Sequence, residues 1–213
     1  MRVLVFGDSI TQGFWDLEGG WVSRLRRYYD ERQVKDLVNN DEPTIFNLGI
    51  SGDVTLGVLK RLDHETEARK WRWPDEQFAF IFAIGVNDSA IDDGVENSNV
   101  NRYHEELKAM IDKARKFSNR ILFIGLTPCE EEVVNSRIGK DKSLTNKRIL
   151  EFDETLKNVC TEYKVSYLSI FKPLKNRMDE GRHLFDDGLH PNNEGHQLIF
   201  ELVRPELDRL LNT

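Results

Sequence analysis

The sequence predicts an α/β fold in which a parallel sheet is covered by helices on both faces, and three observations carry that expectation. Five short apolar runs recur along the chain, helical apolar stripes lie between them, and polar or glycine-bearing turns follow the runs. Strands that alternate with helices need right-handed crossovers, and these put helices on both sides of one sheet. No repeat, low-complexity tract or linker divides the 213 residues, so a single domain spanning 1–213 is expected.

The first run, Val3 to Phe6, is β-branched and aromatic, and Gly7 punctuates its end. Trp21, Leu25 and either Tyr28 or Tyr29 follow at helical spacing. Thr44 to Leu48 is the second strand and Phe78 to Ile84 (FAFIFAI) the third. A helix carrying Leu107, Met110, Ile111 and Ala114 leads to the fourth strand, Arg120 to Leu126. Ile149, Phe152, Leu156, Val159 and Cys160 stripe the next helix, and Val165 to Ile170 is the fifth strand. A terminal helix carries Leu198, Ile199, Leu202, Leu207, Leu210 and Leu211, with Pro205 as a candidate kink. The near-continuous apolarity of the strands suits burial on both faces. Segments 14–20, 88–100 and 128–143 lack periodicity and are expected as long loops on one rim of the sheet.

Composition excludes several classes of function. With 37 acidic against 30 basic residues and a formal charge of −7, the chain has no basic stripe for nucleic acid. The basic clusters 24–27 and 113–120 are interrupted by apolar residues and read as solvated helix faces. Cys129 and Cys160 form no CxxC or metal-like pattern and read as reduced thiols. No stretch approaches the ~20 apolar residues of a membrane span, and the first apolar run is too short for a signal-peptide core. A cytoplasmic chain with neither membrane nor nucleic-acid partner is expected. Nothing in the sequence sets an oligomeric state.

The chemistry concentrates at strand ends. In "VLVFGDSITQG" the first strand halts at Gly7-Asp8-Ser9, which lifts a hydroxyl over the carboxyl rim where ligands sit in open parallel sheets. A serine hydroxyl becomes a nucleophile only when a base takes its proton and a third group orients that base. Among five histidines, His190 stands out in "FDDGLHPNNEGH", where Asp187, or alternatively Asp186, can fold back onto the imidazole. A developing oxyanion needs donors. The backbone N–H groups of Ser9 and Gly52 (in "NLGISGDVT") and the Asn87 amide (in "IGVND") converge as candidates. "GDSITQG" lacks the Lys and Ser/Thr of a P-loop, no GxGxxG follows a strand, and "HPNNEGH" is no HExxH, so no metal site is expected. Asp8, Trp15, Asp53 and Arg137 are candidate substrate contacts, Trp15 as an aromatic platform for a sugar or acyl chain.

Taken in order, "FGDSITQG", "NLGISGDVT", "GVND" and "DGLHP" resemble the four blocks of the SGNH hydrolases, the GDSL esterase and lipase family. The blocks span residues 5 to 191. The first reads GDSI where the family name has leucine, an aliphatic exchange remote from the chemistry. The resemblance implies a flavodoxin-like three-layer fold with strand order 2-1-3-4-5 and no cofactor. It also implies Ser9 as nucleophile, His190 as base, Asp187 in preference to Asp186 as its acid, and Ser9, Gly52 and Asn87 as the oxyanion hole. The expected activity is hydrolysis of a carboxylic ester through an acyl-enzyme, with a short acyl group on a polar alcohol or sugar. Transfer of the acyl group to another alcohol would use the same apparatus, and a catalytically silent ligand-binding module is the alternative outside enzymology.

Overall fold

A computed structural model describes residues 1–70, 77–137 and 142–212. In chain order the elements begin β1 (Arg2–Gly7), α1 (Ser9–Gln12), α2 (Gly20–Gln33), β2 (Thr44–Gly49), α3 (Thr55–Glu67) and β3 (Phe78–Ala83). Next come β4 (Ile91–Asp92), β5 (Val95–Glu96), α4 (Val100–Ala114), β6 (Ile121–Ile124), α5 (Glu131–Arg137) and β7 (Lys142–Ser143). The chain closes with α6 (Asn146–Tyr163), β8 (Ser166–Leu168), α7 (Phe171–Asp179) and α8 (Asn193–Leu211). Strands β2-β1-β3-β6-β8 form a parallel sheet in that order, the flavodoxin-like order that the resemblance implies for the five apolar runs. On one face α2 packs against α8; on the other α3, α4 and α6 lie side by side.

Position in the sheet explains the burial of each strand. Central β1, β3 and β6 carry no exposed residue, whereas the edge strands β2 and β8 expose Thr44, Asn47 and Ser166. Phe6, Phe82 and Phe123 stack across the three central strands, with ring centroids 5.6 and 4.9 Å apart. Each is wholly buried, contributing ~1.5–3 kcal/mol by removal of apolar surface from water. Gly7 ends β1 for a steric reason: a Cβ there would lie 2.1 Å from Thr11 Oγ1 and 2.5 Å from the Ala83 carbonyl oxygen. The turn that lifts Ser9 can therefore pack tightly against its neighbours.

Several expectations need correction. Segments 88–100 and 128–143 are not bare loops: β5, β4 and β7 pair antiparallel, with Ile91 opposite both Glu96 and Ser143, and join the two segments in one small sheet. Arg24, read as part of a solvated helix face, is 8% exposed because it pairs with Asp16; Arg26 and Arg27 are exposed as expected. The buried stripe of α8 is Ile199, Val203, Leu207 and Leu210, with Leu198, Leu202 and Leu211 at its margin. Pro205 lies inside α8 without ending it. Cys129 and Cys160 are buried and free. No helix among the described residues is long and apolar enough to cross a membrane.

Candidate active site

Ser9 is the first residue of α1, and Asp8 caps that helix by accepting the Ile10 N–H at 2.9 Å. The cap fixes the direction in which the Ser9 side chain leaves the sheet. Ser9 Oγ lies 2.9 Å from His190 Nε2, although 181 positions separate them in the chain. His190 Nδ1 lies 2.7 Å from Asp187 Oδ2, and Asp187 Oδ1 accepts the backbone N–H groups of Leu189 at 3.0 Å and His190 at 2.7 Å. Burial opposes the charge on Asp187, but the hydrogen bonds from His190 and Leu189 outweigh it and hold its carboxyl below the usual range. An ionised carboxylate at Nδ1 favours the tautomer with its proton there, which leaves Nε2 to accept from the serine hydroxyl. The geometry therefore suits transfer of the hydroxyl proton to the imidazole.

Around this line stand the candidate oxyanion donors. Gly52 is in the left-handed region at φ 76, and a Cβ there would meet nothing within 4 Å, so its backbone is open to a ligand. The Asn87 amide donates to the Asp53 carbonyl at 2.9 Å, which fixes the side chain and leaves its second N–H. Supporting residues surround Asn87 that the sequence did not reveal. Asn97 Nδ2 donates to the Asn87 carbonyl at 3.0 Å. Both oxygens of buried Asp88 lie 3.1 Å from the Thr55 N–H, the start of α3, and burial pushes its carboxyl up to about 7. Arg148 reaches over from α6 to the carbonyls of Ser89 at 2.7 Å and Ser98 at 3.0 Å and to Glu96 at 2.7 Å. Short-range sequence patterns do not report such contacts, because each partner comes from a distant element.

Three of the four expected substrate contacts are engaged elsewhere. Asp8 is 3% exposed, occupied by its capping bond, and burial pushes its carboxyl up to about 7. Asp53 pairs with Arg61 at 2.9 Å, and the Arg61 guanidinium in turn covers the Phe6 ring at 5.2 Å. Arg137 donates to the Asp186 carbonyl at 3.1 Å, tying α5 to the turn that carries Asp187. Trp15 stands open at the site, 58% exposed, its ring 5.3 Å from that of His190. Residues 138–141 of the expected loop 128–143 lie outside the described residues. The other histidines are remote from the line or occluded: His64 is exposed, while His196 is fully buried, and burial lowers its pKa to about 4.

A serine, an imidazole and a carboxylate in line on the carboxyl rim of a three-layer α/β sheet are an arrangement suited to the class of hydrolases that work through a serine hydroxyl. The chain belongs to the GDSL-like lipase/acylhydrolase family, whose model matches residues 5–198. It is 27% identical to the human isoamyl acetate-hydrolyzing esterase 1 homolog, covering 100% of this chain and 83% of the relative. With the GDSL esterase/lipase WDL1 of Oryza sativa subsp. japonica it shares 24% identity over 94% of this chain and 75% of that one. The crystal structure of a lipase/acylhydrolase from Enterococcus faecalis superposes with a TM-score of 0.75 at 23% identity, covering 97% and 94% of the two chains. The chain is a carboxylic ester hydrolase of this family.

Proposed function

We propose that the chain is a cytoplasmic serine esterase that releases a short acyl group from a polar alcohol or sugar through a covalent acyl-enzyme. Ser9 Oγ bonds to the ester carbonyl carbon as His190 Nε2 takes its proton. Asp187 orients and stabilises the imidazolium. The N–H groups of Ser9 and Gly52 and the free N–H of Asn87 receive the oxyanion, each such donor being worth ~3 kcal/mol. His190 then protonates the leaving alkoxide, and water, deprotonated by the same ring, attacks the acyl-enzyme and restores Ser9. The scheme uses no cofactor or metal, and the only partner it needs is the small-molecule ester.

The observation that carries this reading is the line from Ser9 through His190 to Asp187, at 2.9 and 2.7 Å. A short acyl chain is favoured by a cavity of about 190 Å³ beside the line, walled by Asn87, Ala90, Asn97, Leu144, Leu189 and His190. An acetate ester in the name of the human relative agrees with that size. Beyond Trp15 an open groove lined by Asp186, Asn192, Asn193 and Glu194 gives a hydroxylated alcohol polar partners. Nitrophenyl esters of rising chain length test the reading: kcat/KM is expected to peak between acetate and hexanoate, and a peak at laurate overturns the short-acyl assignment. Labelling of wild type but not of Ser9→Ala by a fluorophosphonate probe tests the nucleophile.

A further inference from the structure

Trp15 adopts φ 66, in the left-handed region that a bulky side chain rarely enters. Such conformations persist only where the surroundings impose them, and here the surroundings do. The Gly13 and Phe14 N–H groups both reach the Ser9 carbonyl, at 3.1 and 3.0 Å, and the Asp16 N–H reaches the Gly13 carbonyl at 3.2 Å. Asp16 Oδ2 then accepts the Gly20 N–H at 2.8 Å and Arg24 Nη1 at 2.5 Å, in an ion pair whose side chains are 2% and 8% exposed. Residues 14 and 16 are thus held on both sides of an awkward backbone. Burial of the indole does not explain the arrangement, because Trp15 is 58% exposed.

What the conformation achieves is a cluster of mutually tilted rings. The Trp15 ring lies 4.8 Å from that of Phe14 and 5.3 Å from that of His190, while Phe14 is itself 5.0 Å from His190. Asp187 restrains the imidazole through one ring nitrogen only, which leaves the ring able to tilt about that bond. We propose that Trp15, with Phe14 beside it, is a positioning residue that holds the His190 ring over Ser9 Oγ, and that the buried Asp16–Arg24 pair exists to keep it there. The inference rests on His190 acting as the base of Ser9. It differs from a role of Trp15 in binding substrate alone, since a positioned imidazole serves every ester equally. Displacements of about 1 Å in a reacting group cost up to 10²-fold in rate, so a loosened ring is expected to lose on the order of tenfold.

The test uses ethyl acetate, whose alcohol is too small to depend on a stacking platform. Trp15→Ala is expected to lower kcat about tenfold with KM nearly unchanged, slow fluorophosphonate labelling in parallel, and broaden the low-field proton signal of the His190–Asp187 bond. Trp15→Phe, which retains a ring, is expected to restore most of kcat. Trp15→Gly separates this role from a structural one: glycine accepts the left-handed backbone, so its Tm should hold or rise while kcat falls. An unchanged kcat in Trp15→Ala on ethyl acetate overturns the inference, as does a loss in Trp15→Gly that follows a falling Tm. Should Ser9→Ala keep wild-type turnover, the serine esterase reading itself fails; an inactive Ser9→Ala beside a fully active Trp15→Ala rejects only the role of Trp15.

Discussion

Replacing the Ser9 hydroxyl with hydrogen removes the 2.9 Å contact to His190 and little packing, since the side chain points into the site from the first turn of a capped helix. Ser9→Ala is therefore expected to lose at least about 10³-fold in ester turnover with a Tm close to that of wild type, measured by titrimetric assay and thermal melting. Retained turnover would contradict the assignment of Ser9 as nucleophile. Asp187→Asn preserves the shape of the turn but favours the wrong imidazole tautomer, and roughly 10²–10⁴-fold should be lost in kcat. The same carboxyl sets an acid limit on stability. Its folded-state pKa is depressed, so the stabilisation it provides is complete above the ordinary carboxylate range and disappears as pH falls through the folded value. Asp187→Asn should lack that part of the acid-side loss when melts are recorded at descending pH.

Elements in this fold hold the site by borrowing polar groups from one another. Val54 stands at the start of α3 without a side-chain cap, and Asp88 from the loop after β3 supplies the acceptor for the Thr55 N–H. Because Asp88 adjoins Asn87, one carboxylate joins the second and third strand-end segments into a single rigid rim. Asp88→Ala leaves the Thr55 N–H buried without its acceptor and is expected to cost ~1–3 kcal/mol in urea unfolding, with a fall in kcat as Asn87 loosens. Asp88→Asn retains an acceptor oxygen, so a loss as large as that of alanine would argue against the capping role. On the other side of the site α2 contributes Arg24 to the pair with Asp16. Arg24→Ala strands a carboxylate that is 2% exposed, and breaking such a pair costs ~3–5 kcal/mol. A loss below about 1 kcal/mol in chemical denaturation would show the pair to behave as an exposed one.

Across the whole molecule buried groups, among them Asp8, Asp88 and His196, shape the dependence of stability on pH. Burial raises the carboxyls of Asp8 and Asp88 to about 7, so between about pH 4 and 7 the folded state keeps protons that the unfolded chain releases, and stability falls as pH rises. Burial lowers His196 to about 4; between there and its ordinary value of 6.5 the unfolded chain binds the extra proton, and stability rises with pH. Two groups oppose one, so this set is expected to lower Tm from pH 5 to pH 8, and Asp88→Asn should flatten the decline; an unchanged slope in that variant would refute its share. All five core strands and the residues of the Ser9–His190–Asp187 line were legible in the sequence. Strands buried on both faces betray themselves by composition, and a hydroxyl or imidazole at a strand end by the turn around it. Less legible were the protein partners of Asp8, Asp53 and Arg137, which are the Ile10 N–H, Arg61 and the Asp186 carbonyl. The small sheet joining Ile91 to Ser143 and the burial of Arg24 were hidden for a similar reason. Periodicity and turn chemistry act over a few neighbouring residues and are written locally, so the sequence by itself determined the five core strands, the four helices with apolar stripes and the candidate reactive groups. Which charge meets which partner depends on atoms brought together from distant parts of the chain, and only the tertiary structure decided that Trp15 would lie against His190.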